Sequence, residues 1–453
     1  MDELKFYLIT DTHYFEPSLG AYGEAYENRM DTEQKCFAET AAINRAVFKY
    51  LEDAKDADIV LIAGDLSFNG EKESHKGMLK LLEGLKASGK KIYVVTAGHD
   101  RNENPRAYRD KEIVPVEGTR FDELYDLYHD YGYDDAIAFN REHLSYVAQL
   151  CDGVRLLVLC NDSPDGHGLA YTDDLYDWMQ EQLDDAKKNN QTVFAMEHYP
   201  VIPGKPILRF VGDAYQKDSR RLIDFLADNG VHLIFTGHMH NQSINLETTA
   251  KGNKFYDVCT GCTIGCPAYM RLVTLKTDGS EVDIKSIPVP DFEWDKGGRT
   301  GEQYLKDQFD RMILTLLTGL RDDPQRTLRK IHADKPALYK PMQKIGKGLD
   351  KWTVGGFAKL FFVKAAPEVK DVLFKTAMLE IARNVFVGDQ PYVEGTPMGD
   401  TFLGVFRKLK PLFKILNKKV HGAQGEQMDL YEVLKHSLGN YGVSDYDAVL
   451  KLK

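Results

Sequence analysis

Six short stretches in the first half of the chain are largely apolar and rich in β-branched residues. They are Leu4–Thr10 (LKFYLIT), Ile59–Ala63 (IVLIA), Lys91–Thr96 (KIYVVT), Val154–Cys160 (VRLLVLC), Thr192–Glu197 (TVFAME) and Val231–Thr236 (VHLIFT). Apolar runs this short mark strands buried on both faces. Between them the period changes. DTEQKCFAETAAINRAVFKYLEDA and TDDLYDWMQEQLDDAKKNN return apolar residues every three or four positions, as amphipathic helices do. The second opens on a Thr-Asp cap and closes on Asn-Asn. Alternation of this kind predicts an α/β architecture.

After Val231 the helices drop out. NKFYDVCT, MRLVTLKT and SEVDIKSIPV read as a β-meander and predict a second sheet. Pro, Gly and charge gather in IPVPDFEWDKGGRTGEQ, from Ile287 to Gln303, which predicts a boundary. Beyond it, EQYLKDQFDRMILTLLTGL, PEVKDVLFKTAMLEIARNVF, TFLGVFRKLKPLFKILNKKV and DLYEVLKHSL all carry a helical apolar stripe. The expected layout is a first domain over 1–290 and an all-helical C-terminal domain over 299–453. Residues 101–150, rich in Tyr, Asp and Asn, interrupt the first domain directly after a strand, where inserted segments serve as lids or specificity loops.

Charge supports the division. The net charge of −11 splits into −18 over residues 1–300 (33 basic, 51 acidic) and +7 over 301–453 (25 basic, 18 acidic). No run approaches the roughly 20 apolar residues of a membrane span. MDELKFYLIT has no basic leader, which predicts a cytoplasmic protein. Six cysteines are too few for a disulfide scaffold. Three of them, Cys259, Cys262 and Cys266, cluster without a fourth, and a Gly-rich loop that happens to hold thiols describes them better than a metal site.

The chemistry lies in what ends each strand. DTH supplies Asp11 and His13, GD supplies Asp65, GHD supplies His99 and Asp100, EHYP supplies His198, and GHMH supplies His238 and His240. Ligands bind beyond the carboxyl ends of strands in α/β sheets. Residues two apart in an extended chain face the same way, so Asp11 would act with His13 and His238 with His240. Imidazoles and carboxylates gathered on one edge suit Mn, Fe or Zn, and two such ions are a common device for cleaving phosphate esters. His75 and His167 stand apart and read as structural or supporting.

This ordered series resembles the calcineurin-like metallophosphoesterase superfamily over residues 1 to about 290. GDLSFNGEKESH looks like its bacterial branch of cyclic-nucleotide phosphodiesterases with an added C-terminal helical domain. The resemblance implies a two-sheet β-sandwich flanked by helices. It implies two divalent or trivalent metal ions: Asp11, His13 and His240 on the first, His198 and His238 on the second, and Asp65 bridging. His99 would face the leaving-group oxygen, with Asp100 orienting it. The implied reaction is attack by a metal-bound hydroxide on a small phosphodiester such as a cyclic nucleotide, with phosphomonoester hydrolysis as the alternative.

One position departs from the family's Gly-Asn-His-Asp/Glu. This chain reads AGHD, so Gly98 stands where the family's Asn ligates the second metal. Water, the Asn102 amide or another loop residue could take that place in a weakened second site, or the chain is a metal-binding scaffold without activity. A small phosphoester is the expected partner. No nucleic-acid motif is present, and the basic stripe FLGVFRKLKPLFKILNKKV fits a core-facing helix better than a peripheral membrane contact.

Overall fold

A computed structural model describes residues 2–31, 33–162, 170–330 and 336–453. His167 lies outside the described residues. Two sheets pack face to face. The first runs, in spatial order, Ala448–Lys451, Glu281–Pro288, Tyr269–Lys276, Glu3–Ile9, Ile59–Ala63, Lys91–Val95. The second runs Ser243–Thr248, Lys254–Cys259, Leu233–Thr236, Thr192–Glu197, Val154–Leu159, Ser145–Cys151, Ala138–Asn140.

All six apolar stretches are strands, three in each sheet, and within each sheet the three run parallel. The expected meander divides instead. Lys254–Cys259 pairs with Leu233–Thr236 in the second sheet, while the next two strands join Glu3–Ile9 in the first. Local pattern cannot assign a strand to a sheet when both faces of both sheets are covered.

The inner faces meet on aromatic rings. Phe6 of the first sheet stacks on Phe194 of the second at 5.3 Å and meets Phe235 edge-on at 5.5 Å. Such pairs add about 0.5–1.5 kcal/mol each beyond the area they bury. Helices Thr40–Asp53 and Lys72–Ala87 cover the first sheet with Val47, Phe48, Leu51, Met78, Leu82 and Leu85. Asp173–Lys188 and Ser219–Asp228 cover the second through Leu175, Met179, Leu183, Leu222, Ile223 and Leu226. This is α/β with a β-sandwich between helices, as expected.

The segment after Asp100 forms the hairpin Arg106–Arg109/Glu112–Pro115 and the helix Leu124–Tyr128, then supplies the last two strands at one edge of the second sheet. The C-terminal region is helical from Gly301, where Thr300 and Gln303 form a reciprocal cap, to Leu438. Its last strand, Ala448–Lys451, returns to the edge of the first sheet against Glu281–Pro288, a pairing the helical pattern did not announce. Buried Asp445 secures this return. Its carboxylate takes Lys205 Nζ at 2.7 Å and the backbone N–H groups of Ile244 and Asp389 at 2.9 and 2.7 Å.

Candidate metal centre

Strands of both sheets end at one edge, and the polar residues that follow them converge there. They do not converge by strand alternation. Asp11, His13, Asp65, His238 and His240 all adopt φ between +39° and +70°. Left-handed backbone is uncommon outside glycine and concentrates at working sites. The expectation that Asp11/His13 and His238/His240 lie on extended chain is therefore corrected: each pair is aimed by tight turns. Cross-links hold those turns. Asp11 N–H donates to Gly64 O at 3.0 Å, His13 N–H to Asp65 O at 2.9 Å and Gly237 N–H to His198 O at 2.8 Å. Gly64 is required by space as well as by its φ of +95°, since a Cβ there would stand 2.5 Å from His198 Nδ1.

Two triads result: Asp11, His13 and His240, and Asp65, His198 and His238, each offering one ligand atom per residue within 4.8 Å of the others. In the first, His13 Nε2 and His240 Nε2 lie 3.0 Å apart, and Asp11 Oδ1 is 3.5 and 3.2 Å from them. In the second, Asp65 Oδ2 lies 3.1 Å from His198 Nε2. The triads adjoin, with Asp65 Oδ2 3.5 Å from His13 Nε2 and Asp11 Oδ1 3.8 Å from His198 Nε2. His198 Nδ1 is 2.7 Å from Ala63 O and His238 Nε2 is 2.6 Å from Asp213 O, so each ring donates outward and turns its other nitrogen to the centre.

Asp11 Oδ1 and His198 Nε2 are buried and make no aligned hydrogen bond, although His240 Nε2 and Asp65 Oδ2 stand 3.2 and 3.1 Å from them. An unsatisfied buried polar atom costs about 1–3 kcal/mol, and a cation between them would remove that cost. Burial pushes the Asp11 and Asp65 carboxyls up, but neighbouring charge outweighs it: His240 and His198 hold Asp11 well below the ordinary range, and His198 and His99 do the same for Asp65. Burial likewise lowers His198, but Asp65 and Asp11 raise it to about 10. Carboxylates that draw a proton so strongly also draw a metal ion, which would displace it. The donor set of imidazoles and ionised carboxylates thus fits transition-metal cations.

His99 and Asp100 occupy a short turn with Gly98. His99 N–H donates to Asp65 Oδ1 at 3.0 Å, and its ring meets that of His13 edge-on at 4.9 Å. Burial, followed by Lys35, holds His99 well below its usual pKa, so the ring is neutral. The expected role of Asp100 requires correction. Its carboxylate does not hydrogen-bond the His99 ring, whose Nδ1 is buried without a partner. It accepts Ser67 N–H at 2.8 Å and Ala97 N–H at 2.9 Å, and so fixes the turn that carries His99. His75 supports the same turn, as a structural histidine should, with Nε2 2.9 Å from Asp100 O and Nδ1 2.6 Å from Tyr128 OH.

The site opens into a cleft of about 550 Å³ lined by Asp65, Asn69, Gly98, His99, Arg101, Asn102, Phe121, Tyr199, Asp213 and His238, among others. Gly98 contributes no side-chain ligand, and the side-chain carbonyl of Asn102, in the same cleft, accepts Asn104 N–H at 2.9 Å. No metal-competent group among the described residues includes Cys259, Cys262 or Cys266. Cys259 Sγ instead lies 3.2 Å from Gly237 O and 3.0 Å from Asn241 Oδ1.

Lys35 is a residue the sequence reading passed over. It is 5% exposed, its ammonium sits 4.5 Å over the Phe68 ring, and its charge helps push His13 down to about 4, after burial. Its charge also acts on buried Glu33: burial raises that carboxyl, but Lys35 and then Arg29 hold it below its ordinary range. Its one sequence signal is a lysine inside DTEQKCF, which looks like any solvated helix position.

A family model described as calcineurin-like phosphoesterase matches residues 4–242. No curated protein matches the chain. Among solved structures, a dimetal phosphatase from Danio rerio is 14% identical, with a TM-score of 0.42, over 63% of this chain and 96% of that one. A purple acid phosphatase from yellow lupin (Lupinus luteus) seeds is 14% identical, with a TM-score of 0.41, over 64% and 52%. A 5′-nucleotidase precursor from Thermus thermophilus is 12% identical, with a TM-score of 0.37, over 70% and 60%.

Proposed function

The chain belongs to the calcineurin-like phosphoesterase family, and we propose that it hydrolyses a small phosphodiester, such as a cyclic nucleotide, using two metal ions. The observation that carries this reading is the pair of adjoining triads with Asp11 Oδ1 and His198 Nε2 buried between them without an aligned hydrogen bond. Asp11, His13 and His240 would hold one cation, and His198 and His238 the other, with Asp65 shared. Cations bound there supply Lewis acidity toward a phosphoryl group and acidify water.

The rest falls to the protein's own side chains. Neutral His99, held by the Asp65 bond to its backbone N–H, presents an imidazole to the oxygen of the departing alcohol and supplies a hydrogen bond there. Asp100 fixes its position through the turn. Lys35, over the Phe68 ring and close enough for its charge to lower His13 and His99, offsets negative charge on the phosphoryl oxygens. Arg101 and Arg120, in the cleft, lie near carboxylates of their own, Asp162 at 3.8 Å and Asp122 at 3.0 Å. The choice of a diester over a monoester rests on the likeness of GDLSFNGEKESH to the cyclic-nucleotide branch.

Gly98 makes the His198/His238 side the weaker of the two. The test is turnover of bis-p-nitrophenyl phosphate against p-nitrophenyl phosphate by chelator-stripped protein as Mn²⁺ is restored. Metal-dependent cleavage that favours the diester supports the reading. A monoester preference would replace the substrate class, and no turnover of either would leave a metal-binding scaffold.

A further inference from the structure

The C-terminal helical region carries an apolar surface that no part of the described chain covers. Phe362 is 93% exposed, Leu360 56%, Ile415 60% and Leu412 48%. They belong to one surface. Val363 packs on helix Pro397–Leu416, where a Cβ at Gly404 would lie 3.0 Å from Val363 Cγ1, and Ala366 N–H donates to Thr401 Oγ1 at 3.2 Å. On that helix Gly404, Lys408, Leu412 and Ile415 fall within an arc of about 80°, at 3.6 residues per turn. The turn bearing Phe362 and the exposed stripe therefore share a face, over a length of about 16 Å.

The tip is a formed structure. Phe361, Phe362 and Val363 donate backbone hydrogen bonds to Ala358, Lys359 and Ala358 at 3.0, 3.1 and 3.1 Å. Phe362 takes φ +59°, a conformation unusual for an aromatic residue, and this turns its ring outward.

Charge identifies the occupant. Residues 351–367 hold three lysines and no carboxylate, and 401–425 hold six basic residues and no carboxylate. Within these spans, Arg407 pairs with Glu394 and the Lys410 ammonium lies 3.7 Å over the Tyr431 ring. Lys359, Lys364, Lys408 and Lys414 make no ion pair among the described residues. Long basic side chains around apolar tips suit an interface whose surface is anionic and whose interior is apolar. No helix among the described residues is long and apolar enough to cross a membrane, so such contact would be peripheral. The geometry points to docking of this face on an anionic lipid bilayer, with Phe362, Leu360, Leu412 and Ile415 entering the headgroup layer and the lysines meeting lipid phosphates.

The test is sedimentation of the full chain with lipid vesicles. With about 30% phosphatidylglycerol in phosphatidylcholine, the protein should pellet, and it should stay in the supernatant with phosphatidylcholine alone. Added salt should weaken the binding by screening the lysines. The double variant Phe362→Ser/Leu412→Ser should lower the bound fraction at least about fivefold, while Leu246→Ser, an exposed apolar residue 48% open on another surface, should not. Metal-dependent turnover of a soluble ester, unchanged in the double variant, shows that it is folded. Failure to bind anionic vesicles, equal binding to neutral ones, or undiminished binding by the folded double variant would each overturn the proposal. Binding of this face to a protein without binding to vesicles would also overturn it.

Discussion

Asp65 and His99 are joined by a 3.0 Å hydrogen bond in which the histidine's backbone N–H donates to Oδ1, while Oδ2 of the same carboxylate faces His198 Nε2 at 3.1 Å. One side chain thereby belongs to the candidate metal centre and places the imidazole proposed to assist the leaving group. The bond is made by the backbone of His99, so the ring can be removed without disturbing the acceptor.

His99→Ala should accordingly lower turnover by about 10²–10³-fold, the usual contribution of one positioned hydrogen-bond donor, and leave the number of bound Mn²⁺ ions unchanged. Turnover and metal content measured on the same preparation decide it. Loss of metal in step with activity would make His99 a ligand instead.

Lys35→Met keeps the length of the side chain and its packing on Phe68 but removes the charge. A fall in kcat/KM approaching 10²-fold is expected because a charge-stabilising donor is lost, while buried Glu33, whose carboxyl Lys35 and Arg29 together hold down, keeps its ion pair with Arg29. Unchanged kcat/KM would reduce Lys35 to a packing residue.

Gly98→Asn places a carboxamide where the family resemblance implies an Asn ligand. It should tighten the weaker Mn²⁺ equivalent by about tenfold or more, in keeping with the gain from one added ligand group. Titration calorimetry of the stripped protein reads this directly, and an unchanged second affinity would show that another group already fills the place.

Glu71 supplies a pH test independent of the metals. Burial pushes its carboxyl up to about 7, from an ordinary value of 4.5. The folded protein therefore keeps a proton that the unfolded chain gives up, and stability falls as pH rises from 4.5 towards 7. The contribution is at most about 3 kcal/mol. Glu71→Gln should be nearly neutral in urea unfolding at pH 5 and stabilising relative to the parent at pH 8. An equal difference at both pH values would contradict the assigned shift.

The candidate ligands were legible because each follows a strand so apolar that the polar residues after it stand out, as in IVLIA before Gly64-Asp65. What lay beyond the sequence was anything that depends on which strands become neighbours. The six strands look alike, yet Ile59–Ala63 and Thr192–Glu197 belong to different sheets. The left-handed turns at Asp11, His13, Asp65, His238 and His240 are imposed by the converging loops and leave no local signature. Asp100 follows His99 in the chain, but its carboxylate is held by Ser67 and Ala97, a contact across 33 positions and one across three. Lys35 owes its burial to Phe68, which arrives from another loop.

The most direct test of the central claim is electron paramagnetic resonance of the stripped protein during Mn²⁺ addition. Two adjoining triads predict two bound equivalents and, as the second fills, a spin-coupled dinuclear spectrum that Asp65→Ala abolishes. One equivalent with only an isolated-ion spectrum at every loading would contradict the two-ion site.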